Sequence, residues 1–142
     1  MWKLLLLIPL LFVLGCPSAS TPTPPLPPDP PQVRVLRYAT LGAEANVAVA
    51  GTLKVLCTPA PPAVPALDAS TCSNTAVYVR TVAATFDKVS DEAKSSDPWS
   101  TMRAKIAGIV TTVATSMTVS DPNLRAQIIG LQSYLQQILE VK

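Results

Sequence analysis

Apolar residues recur at helical spacing in four successive stretches of this chain. The clearest are Val79, Val82, Phe86, Val89 and Ala93, at intervals of 3, 4, 3 and 4, and Leu124, Ile128, Leu131, Leu135 and Ile138, at 4, 3, 4 and 3. Such spacing lines one side of a helix and predicts two helices that bury a narrow seam. Between them Trp99, Met102, Ile106, Ile109, Val113 and Met117 form a third seam. Its later part, Thr111 to Thr118, is rich in β-branched residues with strand propensity, yet the seam runs through it and predicts continued helix. The first stretch, Val33 to Cys57, is less sharply divided. Tyr38, Leu41, Ala45, Ala48, Val49 and Leu56 lie near helical spacing, while Val47 and Leu53 widen the stripe, so this helix needs partners on more than one side.

Local chemistry sets the boundaries. Ser73 or Asn74 is a suitable N-cap for the second helix, which runs to about Lys94. Ser96-Asp97-Pro98 and Ser120-Asp121-Pro122 repeat one device, an Asp that can cap followed by a Pro pre-shaped for the first helical position, and so open the third and fourth helices. The fourth extends to about Val141, with Ile129, Tyr134 and Leu139 broadening its face. In the first stretch the Val-Arg-Val alternation allows an extended start at Val33 to Leu36, and Gly51 allows a break. Pro59, Pro61, Pro62 and Pro65 make a surface loop between Cys57 and Cys72. Small residues four apart, Ala104-Gly108-Thr112 and Ala126-Gly130, are expected at close contacts between neighbouring helices. Short connections make consecutive helices antiparallel neighbours. The fold expected is all-α, a small up-and-down bundle of three to four helices over residues 33–142, with a clipped loop at 57–72.

The run Leu4 to Leu14 is of another kind. It is 11 residues long, broken only by Pro9 and preceded by Lys3, whereas a membrane span takes roughly 20. A basic start and a short apolar middle followed by small residues fit a secretory signal over residues 1–15. Val13-Leu14-Gly15-Cys16 resembles the lipobox of bacterial lipoproteins, although that class more often has Leu where Val13 stands and Ala or Ser where Leu14 stands. The resemblance covers the first 16 residues. It implies that Cys16 receives diacylglycerol, becomes the first residue after cleavage and is then acylated. Two or more acyl chains give stable anchoring where one gives only marginal binding. Pro17 and Ser18 lack the Asp that retains such proteins in the inner membrane of enteric bacteria, so the analogy favours an outer-membrane lipoprotein facing the periplasm.

From Pro17 to Pro31 there are eight prolines in 15 residues. Proline fixes φ and removes backbone donors, so residues 16–32 read as the lipidated cysteine and a tether near polyproline II. Fully extended it reaches roughly 45 Å, at about 3.1 Å per residue.

Three cysteines in an exported chain leave one unpaired. If Cys16 carries lipid, Cys57 and Cys72 remain as a structural disulfide in an oxidising compartment. Redox chemistry at this pair is disfavoured because the spacing is far from CxxC and no basic residue adjoins either thiol. Two cysteines without histidine also fall short of a zinc site. Eleven basic residues oppose nine acidic ones, and removal of Lys3 leaves a mature net charge of +1. That balance is no nucleic-acid footprint.

Catalytic motifs are equally sparse. The sequence has no histidine, which removes Ser-His-Asp and Cys-His arrangements, and it lacks GxSxG, HExxH, SxxK and a phosphate-cradling glycine loop. Asp87 and Asp91, four apart, would share a helix surface, but Lys88 and Lys94 stand near and a solvated face is expected. The sequence therefore predicts a non-enzymatic envelope lipoprotein without catalytic residues, cofactor or metal. It would be a helical adaptor or structural module bound to the membrane by its lipid and to a protein partner. The alternatives are a phage lysis protein and an exclusion or inhibitor lipoprotein. For the first, the lipobox and proline-rich start resemble the layout of an outer-membrane spanin subunit over residues 1 to about 31.

Overall fold

Pro31 sets where the first helix begins, because its ring fixes φ near the helical value and its missing N–H falls where no helical partner exists. In this computed structural model, which describes residues 28–113, 117 and 119–142, Pro30 is the N-cap and α1 runs from Pro31 to Cys57 without interruption. The extended start at Val33 to Leu36 and the break at Gly51 are therefore absent. The bundle begins two residues before position 33. Three further helices follow, α2 Ala69–Ala93, α3 Trp99–Thr111 and α4 Pro122–Glu140. The protein is an all-α four-helix bundle, with no strand among the described residues.

Contacts near both ends fix the helix directions. Cys57 at the end of α1 is bonded to Cys72 in the first turn of α2, and farther along Asn46 Nδ2 donates to the Val79 carbonyl. Rising numbers on one helix meet falling numbers on the other, so α1 and α2 are antiparallel. Arg34 near the start of α1 donates to the Lys142 carbonyl just beyond α4, which sets α1 antiparallel to α4 as well. Lys105 of α3 reaches Glu92 near the end of α2. Helix contacts close a ring in which α1 packs on α2 and α4, and α3 packs on the same two helices.

The seams of α2 and α4 are buried as their spacing predicts. Val79, Val82, Phe86, Val89 and Ala93 lie in the core from α2, and Leu124, Ile128, Leu131, Leu135 and Ile138 from α4. On α1 the buried face is different from the expected one: it is Val35, Ala39, Gly42, Asn46, Val49 and Leu53. Tyr38, Ala45 and Leu56 only flank it, and Leu41 and Val47 are exposed. The true seam has spacings of 4, 3, 4, 3 and 4, but a glycine and an asparagine sit in its middle and hide it from a hydrophobicity pattern. The size of the contact explains the glycine. A Cβ on Gly42 would lie 2.2 Å from Phe86 Cζ, so only glycine lets the ring close on α1 there.

Two further boundaries depart from the sequence reading. The N-cap of α2 is Asp68, five residues before Ser73. Its carboxylate accepts from the Thr71 amide at 2.9 Å and the Thr71 hydroxyl at 2.6 Å. Helix α3 stops at Thr111 instead of continuing toward Met117. There Thr111 Oγ1 donates to the Gly108 carbonyl and Thr112 Oγ1 to the Ile109 carbonyl, while the last backbone bonds tighten to i→i−3. β-Branched residues with hydroxyls that bond their own backbone compete with helix propagation. The expected helix at 114–116 and 118 lies outside the described residues. Beyond it Val119 is again buried, at 1% exposure, and its carbonyl accepts from Arg125 Nε.

Candidate functional site

The described residues include one covalent site and three clefts. Cys57 is the last residue of α1 and Cys72 the fourth of α2, with Cα atoms 5.9 Å apart and the sulfurs bonded. The loop they clip is thus 58–68, and its closing turn is helical. Independently of the bond, the Ala66 amide donates to the Leu56 carbonyl at 2.9 Å and folds the loop back on α1. Cys16 and residues 1–27 lie outside the described residues, so the lipobox and most of the tether have no structural counterpart here.

Beside the disulfide a shallow open cleft of about 420 Å³ is floored by Ala50, Leu53, Ala76 and Val79, with Lys54 and Arg80 at its rim. A second open cleft, about 410 Å³, lies between α2 and α3 and is lined by Thr81, Thr85, Lys88, Lys105, Gly108 and Thr112. The third is smaller, about 140 Å³, and is lined by Val110, Val113 and Leu135 together with Tyr78 and Gln132. Burial pushes the Tyr78 phenol above its ordinary value, opposed in part by a hydrogen bond with Gln132.

The charged groups are arranged as surface and cap contacts. Asp87 and Asp91 are both exposed. Lys105 bridges Glu92 at 3.2 Å and Asp97, and these hydrogen bonds, that of Asp97 first, raise its pKa. Exposed ion pairs of this kind add little stability. Asp97, in the connection between the two helices, thus holds Lys105 instead of capping α3, whose N-cap is Pro98 with no side-chain bond, and the tie from α3 to α2 is the Lys105–Glu92 bridge. Asp121 in the second Ser-Asp-Pro does cap, accepting from the Leu124 amide at 2.8 Å. Hydrogen bonds from the Ser70 hydroxyl, then the Thr71 hydroxyl and amide, hold the Asp68 carboxyl well below the usual carboxylate range. No group of three or more His, Cys, Asp or Glu able to hold a metal occurs among the described residues.

The small-residue pairs do not mark close helix contacts. A side chain at Gly108 or Gly130 would meet nothing within 4 Å. The close approach is at Gly42, and the buried polar residue beside it, Asn46, was equally unmarked by the sequence. Among the described residues no helix is long and apolar enough to cross a membrane.

No protein-family model, curated protein or solved structure matches the chain. What its geometry defines is a class of architecture, a four-helix bundle whose first two helices are joined by a disulfide.

Proposed function

We propose that this chain is a lipid-anchored, non-enzymatic module of a bacterial cell envelope. Its acylated Cys16 holds it to the membrane, favouring the outer membrane on its periplasmic side. The proline-rich segment spaces the bundle from that surface, and the bundle serves as an adaptor or structural element for a periplasmic or outer-membrane protein. The observation that carries this reading is the bond between Cys57 and Cys72. Such bonds persist in oxidising compartments, and of three cysteines it leaves Cys16, the one preceded by Val-Leu-Gly. A role in binding is supported by a sequence without histidine and by the exposure of the Asp87 and Asp91 pair.

The test is the intact mass of protein extracted from membranes, before and after reduction. The expected mass is that of the chain from Cys16 plus its acyl groups, with two hydrogens gained on reduction. A chain cleaved elsewhere, or one retaining Met1 and carrying no lipid, overturns the anchor. A mass unchanged by reductant overturns the oxidised pair.

A further inference from the structure

The face of α1 turned away from the bundle has a pattern of its own. Thr40, Glu44, Val47, Gly51 and Lys54 recur at spacings of 4, 3, 4 and 3, opposite the buried seam. All five are exposed, Val47 at 73%, and beside them Val55 is 67% exposed. A side chain at Gly51 would meet nothing within 4 Å, which leaves an open notch one turn from the most exposed valine of the helix. Neither Glu44 nor Lys54 has an ion-pair partner among the described residues.

Four of these five positions, all but Thr40, are symmetric about position 49 once charge and size are complemented. Glu44 and Lys54 are equidistant from it and opposite in sign; Val47 and Gly51 are equidistant and opposite in bulk. We propose that this face of α1 pairs antiparallel with the same face of a second copy of the chain. A twofold axis at the level of Val49 then seats Val47 of each copy in the Gly51 notch of the other and sets each Glu44 against the other's Lys54. A twofold contact must be self-complementary, and this strip meets that condition in both shape and charge. A partner of another kind would have no reason to match a palindromic strip. Because α1 rises about 1.5 Å per residue, the two Pro31 ends emerge about 54 Å apart. The pair would lie along a surface with one tether leaving each end. This inference goes beyond the anchor reading and does not depend on it.

The test is disulfide trapping of the full chain in mild detergent, with circular dichroism to verify that each variant is helical. The V47C/G51C variant is expected to give a covalent dimer on mild oxidation. V47C alone should give at least about tenfold less, since its two Cα atoms would stand farther apart than the roughly 7 Å a disulfide tolerates. In the V47C/G51C background, Glu44→Lys should weaken association by about tenfold, because symmetry removes two exposed ion pairs at once. Adding Lys54→Glu should restore it. The proposal is overturned if V47C/G51C gives no dimer, if V47C alone traps as well, or if the double charge exchange fails to restore trapping. An adduct with a different protein in place of the dimer overturns it too.

Discussion

The ring of Phe86 lies against the backbone of Gly42 so closely that a Cβ at that glycine would be 2.2 Å from Cζ and 2.4 Å from Cε1. Phe86 is 1% exposed and has nowhere outward to move. Ala at position 42 should therefore destabilise the bundle by about 1–3 kcal/mol, the usual cost of overpacking, even though Ala is favoured over Gly in a helix by about 1 kcal/mol. Phe86→Leu should recover part of the loss, giving a coupling term in a double-mutant cycle measured by urea denaturation. Gly108→Ala and Gly130→Ala have open space around them. Each should stabilise by about 0.5–1 kcal/mol. Equal effects at all three glycines would contradict the contact.

The same pair of residues explains what the sequence revealed and what it hid. The seams of α2 and α4 were legible because each position of the 3,4 repeat is apolar, and all but Ala93 carry a side chain of valine size or larger, as at Leu124, Ile128 and Leu131. On α1 the interface requires the smallest residue opposite Phe86 and a polar one opposite Val79, so the hydrophobic pattern pointed to the wrong face. Val49 belongs to both patterns and is buried, as is Leu53, one of the two residues that widened the expected stripe. The Asp97 cap failed for a different reason, although the helix it was expected to open does begin there. Ser-Asp-Pro has one local chemistry, but at 96–98 Lys105 takes up the Asp97 carboxylate, and only tertiary structure decides that. The clipped loop was legible because proline excludes regular structure whatever surrounds it. The lipobox motif is read from the sequence alone.

Asn46 is 5% exposed; its Nδ2 donates to the Val79 carbonyl at 3.1 Å and its Oδ1 has no partner. A half-satisfied polar group in a helix interface fixes alignment more than it adds stability. Leu at this position should leave stability within about 1 kcal/mol of the native chain or raise it. Asp should cost about 3 kcal/mol at neutral pH, because a carboxylate cannot donate to Val79 and would be buried without a counter-charge. Thermal melts of the two variants give the ordering directly. A larger loss for Leu than for Asp would show that the hydrogen bond is worth more than the unpaired oxygen costs.

Asp68 and Asp121 cap α2 and α4, whereas Asp97 does not cap α3. Asp121→Ala should cost about 1 kcal/mol, and Asp97→Ala measurably less. Asp68 adds a pH dependence. Its folded pKa is depressed, so its stabilising contribution is fully present above the unfolded value of about 3.9 and is lost as pH falls below it toward the folded value. Asp68→Asn retains a capping oxygen but has no proton to gain. The difference in melting temperature between native and Asp68→Asn protein should therefore shift in favour of the variant between about pH 4 and pH 2. A constant difference across that range would show that the cap contacts do not favour the ionised form.

Reduction of the Cys57–Cys72 bond removes a cross-link between residues 15 apart in sequence. In the loop-entropy model that costs about 3 kcal/mol, acting on the unfolded chain. The folded bundle should survive the loss. The α1–α2 seam continues through Leu53, Asn46 and Gly42 toward Val35, well away from the clip, and the Ala66 to Leu56 hydrogen bond still holds the loop. A Cys57→Ala/Cys72→Ala variant is therefore expected to keep its helical circular dichroism while its urea midpoint falls. Hydrogen exchange should accelerate most at Leu56 and in the first turns of α2, with smaller changes at Val82 and Phe86. Uniform acceleration over both helices would instead mean that reduced protein exchanges only by global unfolding. Collapse of the helical signal would mean that the clip, and not the seam, is what brings α1 and α2 together.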